Sequence, residues 1–420
     1  MRVAFLSPLP PAATGIADYS AEVLGLLTTR HEIDVFHDQE SVDPAQVPAN
    51  CRVHRADTFL TRHAERAYDA AIYQMGNGEA HAFVYPLLER VPGLLVLHDI
   101  VLHHSRARTF LDSPDARAYA QAPWNAARRD AALASISGYE AELAHSYPAQ
   151  AARLLEVQLG TVGDLLLYAY PLFRRPVQAS RVIGVHNAFM ASAVHDEVPD
   201  ASVVSIPMPV SAALVSQPAR DQTRARLGLA PDDFVVGCFG LMTREKRIET
   251  VARAVARASA RLPQLRLLLV GPVPDRAELE TLLARRGVLN RTQVAGRVPF
   301  SEIPAHLAAA DVAVHLRYPT ARETSAALLR LLAQGLPTVI SDLEHLSDIP
   351  GDAVVRPDVT DEEGEVTRAI LRLAARPEAR ARLGKRAAAF VAREHTGART
   401  LDAYERALRQ TLTVQFTLQR

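Results

Sequence analysis

The sequence predicts an α/β protein of two domains, each a parallel sheet with helices on both faces. At 420 residues the chain exceeds what one hydrophobic core ordinarily organises. Apolar runs of strand length alternate with helical patterns in both halves, which is typical of parallel sheets. Residues 207–230 contain Pro207, Pro209 and Pro218 with little hydrophobic periodicity, and this indicates an interdomain linker.

Each predicted strand is a short apolar run bounded by turn residues or by a helical pattern. In the first half the predicted strands are 2–7, 32–36, 52–55, 70–74, 94–98, 181–185 and 202–206, and in the second half they are 234–239, 266–270, 292–294, 312–315, 338–340 and 353–355. Each half therefore resembles a Rossmann-like unit.

Two regions depart from simple alternation. Residues 103–180, which include the only tryptophan, Trp124, are rich in Ala and Leu at helical spacing and predict a helical insertion in the first domain. We therefore expect an N-terminal domain at 1–207 and a C-terminal domain at 208–395. Residues 396–420 have an amphipathic pattern and predict a terminal helix that packs back on the N-terminal domain.

Composition excludes several classes of protein. Lys+Arg and Asp+Glu both number 47, which argues against a nucleic-acid partner bound through a broad basic surface. Cys51 and Cys238 lie far apart in apolar runs, so we expect buried free thiols rather than a disulfide or a metal site. No apolar run reaches the ~20 residues that span a bilayer, and the first residues do not form a signal peptide. We expect a soluble, cytoplasmic protein.

The most informative segment is 317–342, which reads as a strand end, a polar loop, an apolar helix, and Gly-Leu-Pro before another strand. The loop places Glu323, Thr324 and Ser325 at the start of the helix. Unpaired amides at a helix N-terminus favour phosphate. A carboxylate does not attract phosphate, but it accepts hydrogen bonds from sugar hydroxyls. The loop therefore predicts a ligand that is part phosphate and part sugar.

Two further segments fit a phosphate ligand. Gly15 opens a helix after the first strand, where glycine permits close approach of a diphosphate, although a turn with a helix cap is an equal alternative. Lys246 and Arg247 are expected in the first turn of a helix, where cations oppose the helix dipole unless an anion binds there. The mismatch favours a phosphate role over a solvated basic face.

Polar groups also follow other strands. His98 and Asp99 end a central strand, where a side chain reaches the ligand edge of the sheet or caps the next helix. His103 is more simply a structural residue, and its surroundings in the sequence do not suggest a metal site. Gly296, Arg297 and Val298 follow a strand, and their backbone could bind the edge of a nucleobase.

Taken in order, these segments resemble the retaining GT-B glycosyltransferases of family 4. The matching motifs are Thr14-Gly-Ile-Ala-Asp-Tyr-Ser, Val96-Leu-His-Asp, Val203-Val-Ser-Ile-Pro, Phe239-Gly with Lys246-Arg247, Leu269-Val-Gly, Ala295-Gly-Arg-Val, Ala310-Asp-Val and the loop at Glu323. The resemblance covers nearly the whole chain. It implies two Rossmann-like domains facing a cleft, a nucleotide-sugar donor held mainly by the second domain, an acceptor held mainly by the first, and no metal or other cofactor.

The resemblance also assigns roles to single residues. His98 and Glu323 are assigned to the transfer site, where Glu323 holds the hydroxyls of the transferred sugar. The expected donor-binding residues are Gly15, Lys246 and Arg247 at the diphosphate, Gly296, Arg297 and Val298 at the base, Thr324 and Ser325 at the sugar and phosphate, and Arg330. The expected acceptor-side residues are Asp18, Tyr19, Asp99 and His103.

Two positions depart from the family pattern. Leu241 stands directly after the glycine of Phe239-Gly, where a basic residue is usual. Arg330 stands where a second glutamate usually grips the ribose, and arginine cannot accept hydrogen bonds from hydroxyls. Either the ribose is held differently or donor use has changed.

The function implied is transfer of a hexose, such as mannose or glucose, from a nucleotide sugar to an acceptor hydroxyl with retention, in the synthesis of cell-surface glycans. The acceptor would be a glycan, a lipid-linked sugar or a small molecule, and a lipid-linked acceptor would bring peripheral contact with the inner membrane face. Two alternatives stay open: a non-catalytic GT-B binding subunit, suggested by Leu241 and Arg330, and a sugar-nucleotide 2-epimerase, which would need acid/base carboxylates and no acceptor.

Overall fold

The structure is a computed structural model that describes residues 1–122, 125–159, 165–211 and 213–418. It divides the chain into two compact units. The first unit comprises Met1–Pro209, Ala321–Thr324 and Gly397–Arg420, and the second comprises Val210–Thr320 and Ser325–Thr396. Trp124, expected in the helical insertion, lies outside the described residues.

The strands follow the predicted alternation closely. They are β1 (Arg2–Leu6), β2 (Glu32–His37), β3 (Arg52–Arg55), β4 (Ala70–Met75), β5 (Leu94–Leu97), β6 (Val182–Val185), β7 (Val203–Ser205), β8 (Phe234–Phe239), β9 (Leu265–Val270), β10 (Thr292–Gly296), β11 (Val312–His315) and β12 (Thr338–Ile340). The predicted strand at 353–355 is wrong, because only Val355 forms an isolated bridge, to Val339. A turn precedes this segment and Pro357 follows it, so the pairing cannot extend.

Helices occupy the intervals between the strands. They are α1 (Gly15–Leu27), α2 (Phe59–Glu65), α3 (Val84–Arg90), α4 (His103–Leu111), α5 (Pro114–Gln121), α6 (Ala126–Ser146), α7 (Ala151–Leu159), α8 (Leu165–Ala169), α9 (Arg174–Gln178), α10 (Ala188–Glu197), α11 (Gln217–Arg226), α12 (Ile248–Ser259), α13 (Arg276–Arg285), α14 (Ile303–Ala308), α15 (Ala326–Ala333), α16 (Glu362–Ala375), α17 (Pro377–Glu394) and α18 (Gly397–Leu418).

The first unit contains a parallel sheet of order β3-β2-β1-β4-β5-β6-β7. Its central strands β4 and β5 are buried along their whole length, as expected for a parallel sheet covered on both faces. The terminal helix α18 belongs to this unit and places Tyr404 in its core. The chain therefore returns to its first sheet after the second unit is complete.

Helices α4 to α9 lie between β5 and β6, in the place of the predicted insertion. A buried carboxylate holds them together: Glu142 on α6 is 0% exposed, accepts a hydrogen bond from the Tyr85 hydroxyl, and lies 3.4 Å from Arg106 and 3.2 Å from Arg175. These partners come from α3, α4 and α9. A buried charge persists only when it is paired, so this cluster ties the insertion to the helix α3 beside the sheet.

The second unit contains a parallel sheet of order β10-β9-β8-β11-β12. The sequence predicts a linker over 207–230, but this prediction is wrong for part of the region, because α11 occupies 217–226. Pro218 is compatible with the first turn of this helix. The helix is anchored by polar contacts rather than by an apolar face: Arg224 is buried and donates to the Ala309 and Asp233 carbonyls. Hydrophobic periodicity could not reveal such a helix.

Candidate functional site

Three neighbouring strands of the second unit end at glycines. Gly240, Gly271 and Gly296 follow or end β8, β9 and β10, with φ of 112°, 139° and 69°, in the region that side chains rarely adopt. The Gly240 N–H donates to the Val270 carbonyl at 3.0 Å, and the Gly271 N–H donates to the Gly296 carbonyl at 2.8 Å. We call this row the glycine edge.

The glycine edge keeps side chains away from the ends of the strands. A Cβ at residue 271 would lie 2.0 Å from the Gly240 carbonyl oxygen, so the two backbones are in direct contact. At Gly296, by contrast, a Cβ would meet nothing within 4 Å. Gly271 is buried, but Gly240 and Gly296 are partly exposed, so backbone is accessible at these two strand ends, on the side where ligands of open α/β sheets bind.

A lysine lies beside this edge. Lys246 is only 8% exposed, and its Nζ lies 3.4 Å from the position that a Cβ on Gly240 would take. It ends a 3₁₀ turn, Arg244–Lys246, rather than lying in the first turn of α12 as the sequence predicts. The reason is Arg247, whose φ of 51° interrupts the helix and makes it the N-cap residue of α12.

Arg247 itself is paired inside the second unit. Its guanidinium lies 2.8 Å from the Glu362 carboxylate at the start of α16. Burial raises the pKa of Glu362, while Arg247 lowers it. The predicted supporting role of Arg247 at a diphosphate stays a prediction, and its structural partner is Glu362.

His315, which the sequence analysis does not single out, ends β11 in the core of the second unit. Its Nε2 lies 3.2 Å from the hydroxyl of Ser325, which in turn accepts the Leu328 N–H and caps α15. Burial, with Lys246 and Arg317 nearby, holds the pKa of His315 well below its usual value, so the imidazole is neutral. Its position at a strand end was the available signal.

Arg330 lies on α15 with its guanidinium 5.0 Å from the centre of the Phe300 ring. Phe300 lies two residues after the segment of Gly296, Arg297 and Val298 that is predicted to bind the base. Arg297 is exposed, whereas Val298 packs against a core cluster of this unit. The structure thus brings Arg330, the residue that departs from the family pattern, close to the predicted base segment.

Glu323 lies in a segment that belongs to the first unit, although its sequence neighbours on both sides belong to the second. The Ala321 carbonyl accepts the N–H groups of Ile100 and Val101 at 3.1 and 3.4 Å. The Thr324 hydroxyl accepts from the Asn187 side chain at 3.0 Å. The residues on each side of Glu323 are therefore held by hydrogen bonds, Ala321 to the segment that follows His98 and Asp99 and Thr324 to Asn187.

His98 is buried at the end of β5, with 3% of its surface exposed. Its Nε2 lies 2.7 Å from the Gln74 side chain and its Nδ1 lies 3.1 Å from His186 Nε2. The Tyr19 ring meets it edge-on at 4.7 Å. Burial, His186 and His81 hold the pKa of His98 well below its usual value. Gln74 and His186 were not anticipated from the sequence.

The predicted acceptor-side residues have different surroundings. Asp99 is half-buried and accepts the Asn77 N–H at 2.7 Å, and Asp18 is half-buried in the first turn of α1. Tyr19 is buried, with its hydroxyl 2.8 Å from that of Tyr404. His103 is buried, and its Nδ1 donates to the Tyr170 carbonyl at 2.6 Å. Burial lowers the pKa of His103 to about 4.

Gly15, predicted to approach the diphosphate, opens α1 after the cap residue Thr14. A Cβ at this position would meet nothing within 4 Å.

Across the described residues no group of three or more His, Cys, Asp or Glu is placed to hold a metal ion. Both cysteines are free thiols: Cys238 is buried as expected, while Cys51 is only half-buried. In the part of the chain that the structure describes, every helix is too short or too polar to cross a membrane.

Comparison with known proteins agrees with this architecture. Residues 233–376 match the family model of glycosyl transferases group 1. The chain is 28% identical over 182 residues to alpha-D-kanosaminyltransferase of Streptomyces kanamyceticus, covering 42% of this chain and 45% of that protein. It thus spans less than half the length of this curated relative.

Solved structures match along nearly the entire chain. Sucrose-phosphate synthase from Thermosynechococcus elongatus superposes with a TM-score of 0.70 at 17% identity, covering 98% of this chain and 99% of the other. HepE from Anabaena, solved in complex with UDP, superposes with a TM-score of 0.64 at 16% identity, covering 97% and 100%.

The two parallel sheets with their helices and these superpositions define a protein of the GT-B glycosyltransferase fold, which confirms the predicted fold class. Within that class, residues 233–376 are similar to the glycosyl transferases group 1.

Proposed function

We propose that the chain is a glycosyltransferase that moves a hexose from a nucleotide-sugar donor to an acceptor hydroxyl with retention of configuration. The observation that carries the proposal is the glycine edge with the buried Lys246 beside it. Accessible backbone and one desolvated cation suit the diphosphate of a nucleotide sugar. The edge also lies within residues 233–376, where the family model matches.

In this proposal the second unit stabilises the leaving group. Negative charge develops on the diphosphate as the glycosidic bond breaks, and a preorganised ammonium lowers the energy of that transition state. Lys246 supplies the charge, and Ser325 and the α15 amides supply hydrogen bonds to phosphate. Arg247 contributes from its pairing with Glu362 rather than as a second independent cation.

The first unit acts on the sugars. Glu323 accepts hydrogen bonds from hydroxyls of the transferred hexose, with Thr324 beside it. Gly15 allows close approach of phosphate to the start of α1, and Asp18 and Asp99 serve the acceptor. The acceptor hydroxyl attacks from the face that the diphosphate leaves, which retains the anomeric configuration. No metal or other cofactor takes part.

The base is held by the segment of Gly296, Arg297 and Val298, with Phe300 and Arg330 forming a side-chain platform next to it. A planar guanidinium over an aromatic ring is a stable surface for stacking. HepE has also been solved with UDP-glucose, so a UDP-hexose is the first donor to test, followed by GDP-mannose and an ADP-hexose. The acceptor is a glycan, a lipid-linked sugar or a small molecule of cytoplasmic glycan synthesis, and a lipid-linked one would place the protein at the inner membrane face.

The test is turnover of a panel of UDP-, GDP- and ADP-hexoses by the purified chain, without acceptor and with a chelator present. We expect slow release of free hexose and nucleotide diphosphate from one base class, since glycosyltransferases transfer to water when no acceptor is present. An epimerised nucleotide sugar would instead establish a 2-epimerase. Binding without any turnover, even with acceptor panels, would establish a non-catalytic binding subunit.

A further inference from the structure

A continuous hydrogen-bond chain crosses the core of the first unit from Tyr19 on α1, through Tyr404 on the terminal helix, to the Ile206 carbonyl. The Tyr19 hydroxyl lies 2.8 Å from the Tyr404 hydroxyl, which lies 3.1 Å from the Gln74 side-chain amide. The other amide atom lies 2.7 Å from His98 Nε2. His98 Nδ1 lies 3.1 Å from His186 Nε2, and His186 Nδ1 lies 2.7 Å from the Ile206 carbonyl.

The carbonyl at one end fixes the direction of the chain. A carbonyl oxygen only accepts, so the Ile206 oxygen requires a hydrogen on His186 Nδ1. Neutral His186 then accepts at Nε2, which requires a hydrogen on His98 Nδ1. Neutral His98 in turn accepts at Nε2, so the amide of Gln74 must present its NH₂ group to His98.

The rest of the chain follows from that orientation. This requires exchanging the Gln74 amide nitrogen and oxygen, which the structure places toward Tyr404 and His98 respectively. The exchanged carbonyl then faces Tyr404, whose hydroxyl donates to it and accepts from the Tyr19 hydroxyl. Oxygen and nitrogen of an amide are assigned from such networks. Every hydrogen then points the same way, from Tyr19 toward Ile206, and each polar atom in the chain has a matching partner.

The reverse orientation of the Gln74 amide fails on the same accounting. If its carbonyl faced His98, Nε2 would need a hydrogen, and Nδ1 would meet the His186 lone pair unless one of the two rings carried a second hydrogen. That ring would be a buried imidazolium cation next to another imidazole. Such a charge is costly without a carboxylate partner, and burial lowers the pKa of His98.

We infer that the Ile206 carbonyl, acting through His186, sets His98 as a neutral imidazole with its hydrogen on Nδ1, and that Tyr404 is a positioning residue that holds the Gln74 amide against His98. Both ring nitrogens are then occupied within the protein. His98 consequently serves the site by fixing the backbone that leads to Asp99 and to the Ile100–Ala321 hydrogen bond beside Glu323, rather than by proton transfer. The role at the site rests on the proposed function, whereas the hydrogen positions do not.

The hydrogen positions are measured by NMR of the full-length protein with ¹⁵N-labelled histidine, with His98 and His186 assigned by His98→Gln and His186→Gln variants. At pH 7 we expect both rings to be neutral with the hydrogen on Nδ1. In Gln74→Glu the carboxylate can only accept, so we expect hydrogens on both nitrogens of His98. A wild-type His98 with its hydrogen on Nε2, or a charged wild-type ring, would overturn the inference.

The positioning role is measured by transfer kinetics of Tyr404→Phe. Loss of the hydroxyl releases the Gln74 amide, so we expect the transfer rate to fall by at least about tenfold while nucleotide affinity stays unchanged. The matched control on the same helix is Thr411→Val, because Thr411 is buried and its hydroxyl donates within its own helix, to the Ala407 carbonyl at 2.8 Å.

The two arms separate the possible failures. Full transfer by Tyr404→Phe would contradict the positioning role even if the hydrogen positions are as expected. A wild-type protein that turns over no donor would refute the proposed function, and the NMR result would still decide the structure of the chain.

Discussion

The two sheets have the same parallel architecture, but their carboxyl edges are built in different ways. In the first unit, the edge at β5 is filled by His98, whose neighbours Gln74 and His186 are buried polar side chains that bond to it. In the second unit, the glycine edge carries no side chains, and a Cβ at Gly296 would meet empty space.

The two edges therefore present different groups, although the sheets behind them are built alike. A saturated edge offers a ligand fixed geometry and few unsatisfied groups. A glycine edge presents backbone, with open space at Gly296. One fold supports both because the inside of a parallel sheet only needs apolar strands, whereas the loops at its carboxyl end vary independently.

We expect the greatest loss of stability from a substitution within the glycine edge. Gly271→Ala places a methyl group 2.0 Å from the Gly240 carbonyl oxygen at a φ of 139°, so we expect loss of the folded second unit or severe destabilisation. Gly296→Ala is the matched control, because it has a positive φ but open space, and it should cost only about 1–2 kcal/mol of unfolding free energy. Denaturant unfolding of both variants measures this, and equal losses would contradict close backbone packing at Gly271.

A second substitution tests whether the charge of Lys246 at the glycine edge contributes to nucleotide affinity. Lys246→Ala should weaken binding of the nucleotide diphosphate by about 1.5–3 kcal/mol, because a charge-assisted hydrogen bond is lost. Lys385, the only other lysine in the chain, is exposed on α17 and provides the control Lys385→Ala. Calorimetric titration of both folded variants with UDP or GDP checks the difference. Unchanged affinity in Lys246→Ala would contradict the proposal that the diphosphate binds at the glycine edge.

A smaller effect is expected in the pH dependence of stability, which depends on the buried histidine His103 in the first unit. Burial lowers the pKa of His103 to about 4, below the value of about 6.5 in an unfolded chain. The unfolded state therefore binds the proton first, so the stability from neutral His103 is complete above pH 6.5 and declines as pH falls toward 4. From pH 7 to pH 5 we expect a loss of about 1–2 kcal/mol from this residue.

That pH slope is measured by denaturant unfolding at both pH values. His103→Asn should reduce the slope, whereas His195→Asn, at an exposed position on α10, should leave it as in the wild type. An unchanged slope in His103→Asn would mean that His103 is not held neutral by burial.

The strands could be predicted because their residues carry the pattern locally: β5 is a continuous apolar run, β4 is apolar except for Gln74, and each is found where the sequence places it. Elements held by polar contacts were harder to predict from the sequence. α11 is anchored by Arg224, and Lys246 is set outside α12 by the positive φ of Arg247, neither of which produces hydrophobic periodicity.

The sequence predicted individual residues of the candidate site at separate strand ends, but not the contacts between them. Polar residues and glycines after strands indicated Gly296, His98 and the Glu323 loop. The partners of these residues lie too far along the chain to be inferred from spacing, since Gln74 and Tyr404 are 330 residues apart and His98 and His186 are 88 apart. The assignment of residues Ala321–Thr324 to the first unit likewise depends on a backbone pairing that no sequence pattern encodes.

We propose that the second unit binds the diphosphate while the segment Ala321–Thr324, which belongs to the first unit, acts on the transferred sugar. This claim is tested most directly by Glu323→Gln, on which nucleotide affinity and single-turnover transfer are measured together. We predict near wild-type affinity for the free nucleotide diphosphate and transfer slower by ten- to a thousandfold, about 1.4–4 kcal/mol of transition-state stabilisation. Normal transfer with a lowered melting temperature would show that Glu323 is structural and would contradict the claim.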